Sequence, residues 1–228
     1  YTIYTLYSWL NAKPNDCIEA VETALKIADR SGVHFFDFIL LVQGGHACLS
    51  TGALDEARNY RDRMALAVNH KLQLEAGMYN DFCAQLHSRE GKFHEAIQFS
   101  EASVHYSTRL GMILPQACFR MHYAEILFET GDYIEANHQI IQAKHVAQKL
   151  KSSLIEFRLL LLEAYIALNK SKFDTVKNKL QCALSLGRKH NFINCLCWRP
   201  DMMSKLLGFA LEEEIEVEYT QHIIRLRQ

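Results

Sequence analysis

The sequence predicts an all-α fold, a solenoid of antiparallel helix hairpins stacked side by side. Three observations predict it. A pair of small residues 12 positions apart returns along the chain: Ser8/Ala20, Gly45/Ala57, Ala84/Ala96, Ala124/Ala136 and Ala164/Val176, with successive pairs starting 37, 39, 40 and 40 residues apart. A similar turn lies inside the later pairs, as TGAL (51–54), EGKF (90–93), TGDY (130–133) and KSKF (170–173). Thirteen residues before each first-helix small residue stands a cap or loop position: Gly32, Lys71, Gly111 and Lys151, a series that extrapolates to Asn191 and Ser204. Repetition at this period is the signature of stacked helical units that bury a core only by packing on their neighbours.

Each pair fixes one hairpin. Small residues are required where two helices cross closely, since a larger side chain there forces the backbones apart at a cost of roughly 1–3 kcal/mol. The helices expected in order are 2–11 with 14–30, 35–50 with 54–70, 73–89 with 93–109, 113–130 with 133–150, 153–169 with 173–189, and 194–211 with 215–227. In the fourth hairpin Ala136, Ile140, Ala143, Ala147 and Leu150 recur at steps of 4, 3, 4 and 3, one stripe of an α-helix. Gly131 suits the left-handed end of one helix, and Asp132 caps the next. Gly52 with Asp55, and Gly91, are read in the same way, while Ser171 replaces glycine in the last turn. No stretch alternates with period two, and no linker divides the chain. It is read as one domain, 1–228, of five to six hairpins closed by capping helices at 192–228.

Composition agrees with a folded helical chain: 228 residues, 49% hydrophobic, 22% charged, 3 Pro and 10 Gly. A net charge of −1 and a pI near 6.9 give no electrostatic footprint for a phosphate backbone, so direct nucleic-acid binding by this segment is not expected. The longest apolar run, 159–168, is broken by Glu163, so no membrane span is expected. Seven cysteines at irregular positions read as thiols in a reducing cytoplasm. Cys83, Cys118 and Cys182 are placed in the core. A chain that runs from Tyr1 to Gln228 without an initiating Met reads as part of a larger protein.

The 12-residue pair and the turn ending DEA (55–57), HEA (94–96) and IEA (134–136) resemble the tetratricopeptide repeat. That resemblance implies a right-handed superhelix whose first helices line a concave groove. The period here, 37 to 40 residues rather than about 34, resembles the longer repeats of bacterial ATP-dependent transcriptional regulators of the maltose-activator (MalT) type. The tail 198–228, with Trp198, Pro200, Ala210, Leu211, IEVEY (215–219) and IIRLR (223–227), resembles the segment that closes the helical domain in that group. Such proteins can carry an ATPase before the repeats and a DNA-binding domain after them. This chain holds no G-x-x-x-x-G-K-[ST] phosphate loop.

Catalytic and metal constellations are weak. The chain has 11 His but no H-E-x-x-H, Cys195-Leu-Cys197 lacks a second ligand pair, and no Ser stands in G-x-S-x-G. Glu212, Glu213 and Glu214 form a charge run that reads as a solvated face. No enzyme activity, metal or cofactor is expected in this chain.

The groove is the candidate site. The positions three before and one, four and five after each first-helix small residue face it, and they include His46, Asp81, Gln85, Arg89, Glu125, Glu129 and Tyr165; Arg158, one turn earlier, joins them. Gly45, Ala57, Ala84, Ala96, Ala124, Ala136, Ala164 and Val176 are assigned to the helix crossings. A groove of mixed aromatic surface and fixed charge suits a small-molecule inducer or a regulatory protein. A scaffold that docks a peptide or helix without any small ligand, and self-association through the solenoid ends, remain open, as does simple pairing of these charges between adjacent helices. If the groove reading holds, replacing Arg89 and Glu125 by alanine removes binding without unfolding the domain.

Overall fold

The computed structural model describes residues 1–195 and 198–227. Among these, twelve α-helices form six consecutive pairs: α1 (Thr2–Leu10) with α2 (Pro14–Ser31), α3 (Asp37–Thr51) with α4 (Leu54–Ala67), α5 (Gln73–Arg89) with α6 (Phe93–Leu110), α7 (Ile113–Glu129) with α8 (Tyr133–Leu150), α9 (Ser153–Asn169) with α10 (Phe173–His190), and α11 (Pro200–Glu212) with α12 (Val217–Arg225). The two helices of each pair pack on one another. The first helices also touch in series, α1 on α3, α3 on α5, α5 on α7, α7 on α9 and α9 on α11, which makes them the inner layer of a helical solenoid.

The small residues of the hairpins are buried. Ala57, Ala84, Ala96, Ala124, Ala164 and Val176 are fully buried, and Gly45 and Ala136 nearly so. A Cβ on Gly45 would stand 2.7 Å from the Phe82 ring and 2.8 Å from the Met64 methyl group. The second hairpin therefore needs glycine because α4 and α5 both press their core side chains onto that one turn of α3. Outer helices bury a single stripe, such as Ala96, Ser100, Ser103 and Ser107 of α6, whereas inner helices are buried nearly all round, as in α7.

Left-handed residues end many of the helices: Gly32, Gly111, Lys151 and Asn191 at the second helices, and Gly52 at α3. Ser171, at φ 52°, takes the conformation that Gly91 and Gly131 take in the equivalent turns. The Asp132 side chain accepts a hydrogen bond from the Glu135 amide at 3.1 Å and caps α8. Lys71 is no cap, because α4 stops at Ala67 and Val68 leaves it in extended conformation; Asp55 lies inside the first turn of α4, whose N-cap is Ala53. Cys83 and Cys118 are buried, but Cys182 is exposed.

The sixth hairpin departs from the expected register. Helix α11 starts at Pro200, six residues later than the spacing predicts, because the residue before a proline is driven to extended backbone; Arg199 has φ −112° and ψ 110°. Ser204 accordingly faces solvent rather than a helix crossing. The Cys195-Leu-Cys197 motif lies in this connector; Cys195 is fully buried, and Leu196 and Cys197 fall outside the described residues. No helix among the described residues is long and apolar enough to cross a membrane.

Candidate functional site

The residues expected to line a groove are packed inside the protein: Arg158 is 0% exposed, Asp81 2%, and Gln85, Glu125 and Tyr165 6% each, with Arg89, Glu129 and His46 partly buried. What covers them includes the connector between α10 and α11. Asn194 donates its side-chain amide to the Trp9 carbonyl of α1 at 2.6 Å, a bond across 185 residues of sequence. Arg199 pairs with Glu129 of α7 and, at 2.6 Å, with Asp201. Asp201 lies 3.8 Å from Arg89 of α5. Cys195 and Trp198 join the apolar cluster that holds Phe157, Leu161 and Tyr165 of α9. One short stretch thus touches four inner helices.

Electrostatics hold this stretch in place. Burial alone would lower the Arg199 guanidinium, but its bonds to Asp201 and the charge of Glu129 outweigh that and raise its pKa. Burial likewise pushes the Asp201 carboxyl up, and Arg199 and Arg89 bring it below the ordinary carboxylate range. The Ser88 hydroxyl donates to the second Glu129 oxygen at 3.2 Å. Burial raises the Cys195 thiol against the opposing pull of Arg158 and Arg227, so it stays neutral.

Deeper inside, the charges pair between adjacent helices. Glu125 of α7 and Arg158 of α9 form an ion pair away from solvent. Asp81 of α5 meets His122 Nδ1 of α7 at 2.9 Å, and Gln85 donates to Asp81 at 2.8 Å. His46 stacks on Trp9 at 5.6 Å between ring centroids and meets the Phe82 ring edge-on. Burial lowers its pKa to about 4, so the ring is neutral near pH 7. Buried ion pairs of this kind cost several kcal/mol when one member is removed. The expectation that Glu125 can be replaced without unfolding is therefore corrected: its carboxylate is part of the scaffold.

The structure gathers Arg89, Glu129 and Tyr165 around Arg199 and Asp201, and separates them from the inner group of His46, Asp81, Gln85, Glu125 and Arg158. Sequence reasoning missed His122, one position off the groove register, and Asn194 and Arg199, which lie outside any repeat. Pro200 was the one available signal that the last helix starts late.

No protein-family model matches the sequence, and no curated protein matches it. Among solved structures, the chain is similar to the apo form of RapI with a TM-score of 0.62 and 13% identity, over 100% of this chain and 80% of RapI. At that identity the likeness is one of fold, a helical-repeat architecture.

Proposed function

We propose that this chain is a non-catalytic regulatory repeat domain of a larger cytoplasmic protein, and that its concave channel docks an extended segment of a protein partner. One observation carries the reading: a connector of the chain itself already packs on the first helices, held by Asn194 on the Trp9 carbonyl and by Arg199 between Glu129 and Asp201. Inner helices that bind one extended segment present the donors and acceptors to bind another. A partner would replace the connector and shift the chain between closed and open forms, to the extent that it binds the open form better. The turn motif and the 198–228 tail support placing the domain in a transcriptional regulator of the maltose-activator type, and an inducer acting on the same equilibrium fits that setting.

The test is fluorescence anisotropy with a labelled peptide spanning residues 191–201. The chain carrying Asn194→Ala and Arg199→Ala, which frees the tethered copy, should bind it saturably, and a further Glu129→Lys should abolish binding. No binding to a released channel whose helicity is intact would overturn the reading.

Self-association is favoured by a different observation. Helix α1 exposes Ile3 at 86%, Tyr7 at 59% and Tyr4 at 51% along its outer face. Sedimentation should then show a concentration-dependent dimer that Ile3→Asp with Tyr7→Asp dissolves.

A further inference from the structure

A cavity of about 860 Å³ opens where the two ends of the solenoid meet. One wall is the turn from α1 into α2, with Lys13 and Asn15, beside Ser50 and Thr51 of α3; the other is Trp198 of the connector, Met203 and Leu207 of α11, and Arg227 just after α12. Its size is that of a small-molecule site, and its lining mixes apolar side chains with polar and charged ones such as Lys13, Asp16, Ser50 and Arg227.

Arg227 is the unexplained group. Its guanidinium carbon lies over the Trp198 indole, 4.0 Å from the ring centroid. Nε and Nη2 are shut away from water without a hydrogen-bond partner, and no carboxylate among the described residues forms an ion pair with the side chain. Burial lowers its pKa to about 10, which still leaves it a cation near pH 7. Buried donors of a charged group are costly to leave unmade, and a planar guanidinium fork is matched by a carboxylate.

The opposite wall favours the same charge. Helix α2 has Lys13 at its N-cap with no side-chain cap, and Pro14 at its start. The Asn15 and Asp16 amides therefore lack an acceptor within the helix, whereas Cys17 donates to the Lys13 carbonyl, and the dipole there attracts anions. Asp16 opposes this from the rim, but it is exposed and free to turn to water.

We propose that this seam cavity binds an amphipathic carboxylate, with the acid group between Arg227 and the start of α2 and the apolar body against Trp198, Met203 and Leu207. Trp198 belongs to the connector, so a partner that replaces the connector would open this site, while its other walls lie outside α5, α7 and α9.

Octanoate below its micellar range is the probe, with 1-octanol and inorganic phosphate as its neutral and its purely anionic counterparts. Titration calorimetry of the chain should give one saturable octanoate site, with quenching of Trp198 fluorescence. Arg227→Met should weaken it ~10- to 100-fold, the range expected for loss of a charged hydrogen bond. Because that substitution also removes two shielded donors without partners from a half-buried side chain, it should not lower the melting temperature. Gly208→Trp is the second variant. A Cβ at Gly208 meets nothing within 4 Å, so the indole can fill the cavity without a clash at its root. It should abolish octanoate binding and leave the helicity unchanged. Equal affinity for 1-octanol or phosphate, more than one equivalent of octanoate, no saturable binding at all, or undiminished binding by either variant would each overturn the assignment.

Discussion

Replacing Glu125 by leucine should destabilise the domain strongly, and replacing Arg158 by methionine in the same chain should restore most of the loss. Arg158 is fully buried on α9, and Glu125, 6% exposed on α7, is its ion-pair partner. Removing only the carboxylate takes an ion-pair partner from a fully buried guanidinium, at a cost of about 3–5 kcal/mol. For a chain of this length each kcal/mol moves the melting midpoint by about 2–4 °C, so the single variant should melt roughly 10 °C lower. The double variant replaces the pair by apolar groups of similar volume, and pairs replaced in this way often prove neutral or stabilising. Urea unfolding monitored by circular dichroism gives the free energies, and the difference between single and double variants reads the pair directly. A loss under about 1 kcal/mol for Glu125→Leu, or a double variant no more stable than the single, would refute the assignment of this pair to the scaffold.

Three further outcomes follow from the same packing. His46 is neutral in the folded chain down to about pH 4, whereas its unfolded pKa is near 6.5. The unfolded state therefore binds the extra proton between those values, and stability should fall by about 3 kcal/mol as pH drops from 6.5 to 4, a slope that His46→Phe removes in urea titrations at fixed pH. Gly45→Val should cost about 2 kcal/mol by forcing Phe82 and Met64 aside, while Gly208→Ala, in the middle of α11 with open space at its Cβ, should gain about 0.5–1 kcal/mol; thermal melts separate the two. Asn194→Ala with Arg199→Ala should raise the radius of gyration in small-angle scattering and speed hydrogen exchange at 191–195, and an unchanged profile would show that these two bonds do not hold the connector.

The hairpins were legible because their determinants are local. A small residue at each crossing, a left-handed residue at each turn and an apolar stripe between them all lie within one repeat. The functional reading was less legible. Glu125 and Glu129 are one helical turn apart on α7 and look equivalent in the sequence, yet one pairs with Arg158 in the interior and the other with Arg199 of the connector. Nothing in their spacing distinguishes a carboxylate that faces a neighbouring helix from one that faces a returning segment.

The sequence by itself determined the all-helical repeat and the partners within each hairpin, and the resemblance to the tetratricopeptide repeat implied the inner position of the first helices. Only the tertiary structure decided that the solenoid closes on itself, that Asn194 reaches Trp9, and that the residues expected to line a groove are packed inside the protein, with a cavity at the seam. The reason is physical. Closure is the sum of small rotations between successive hairpins, each set by how side chains interlock across an interface, and a sum of that kind has no periodic trace in the chain. Pro200 alone marks the place where the repeat stops obeying its own spacing.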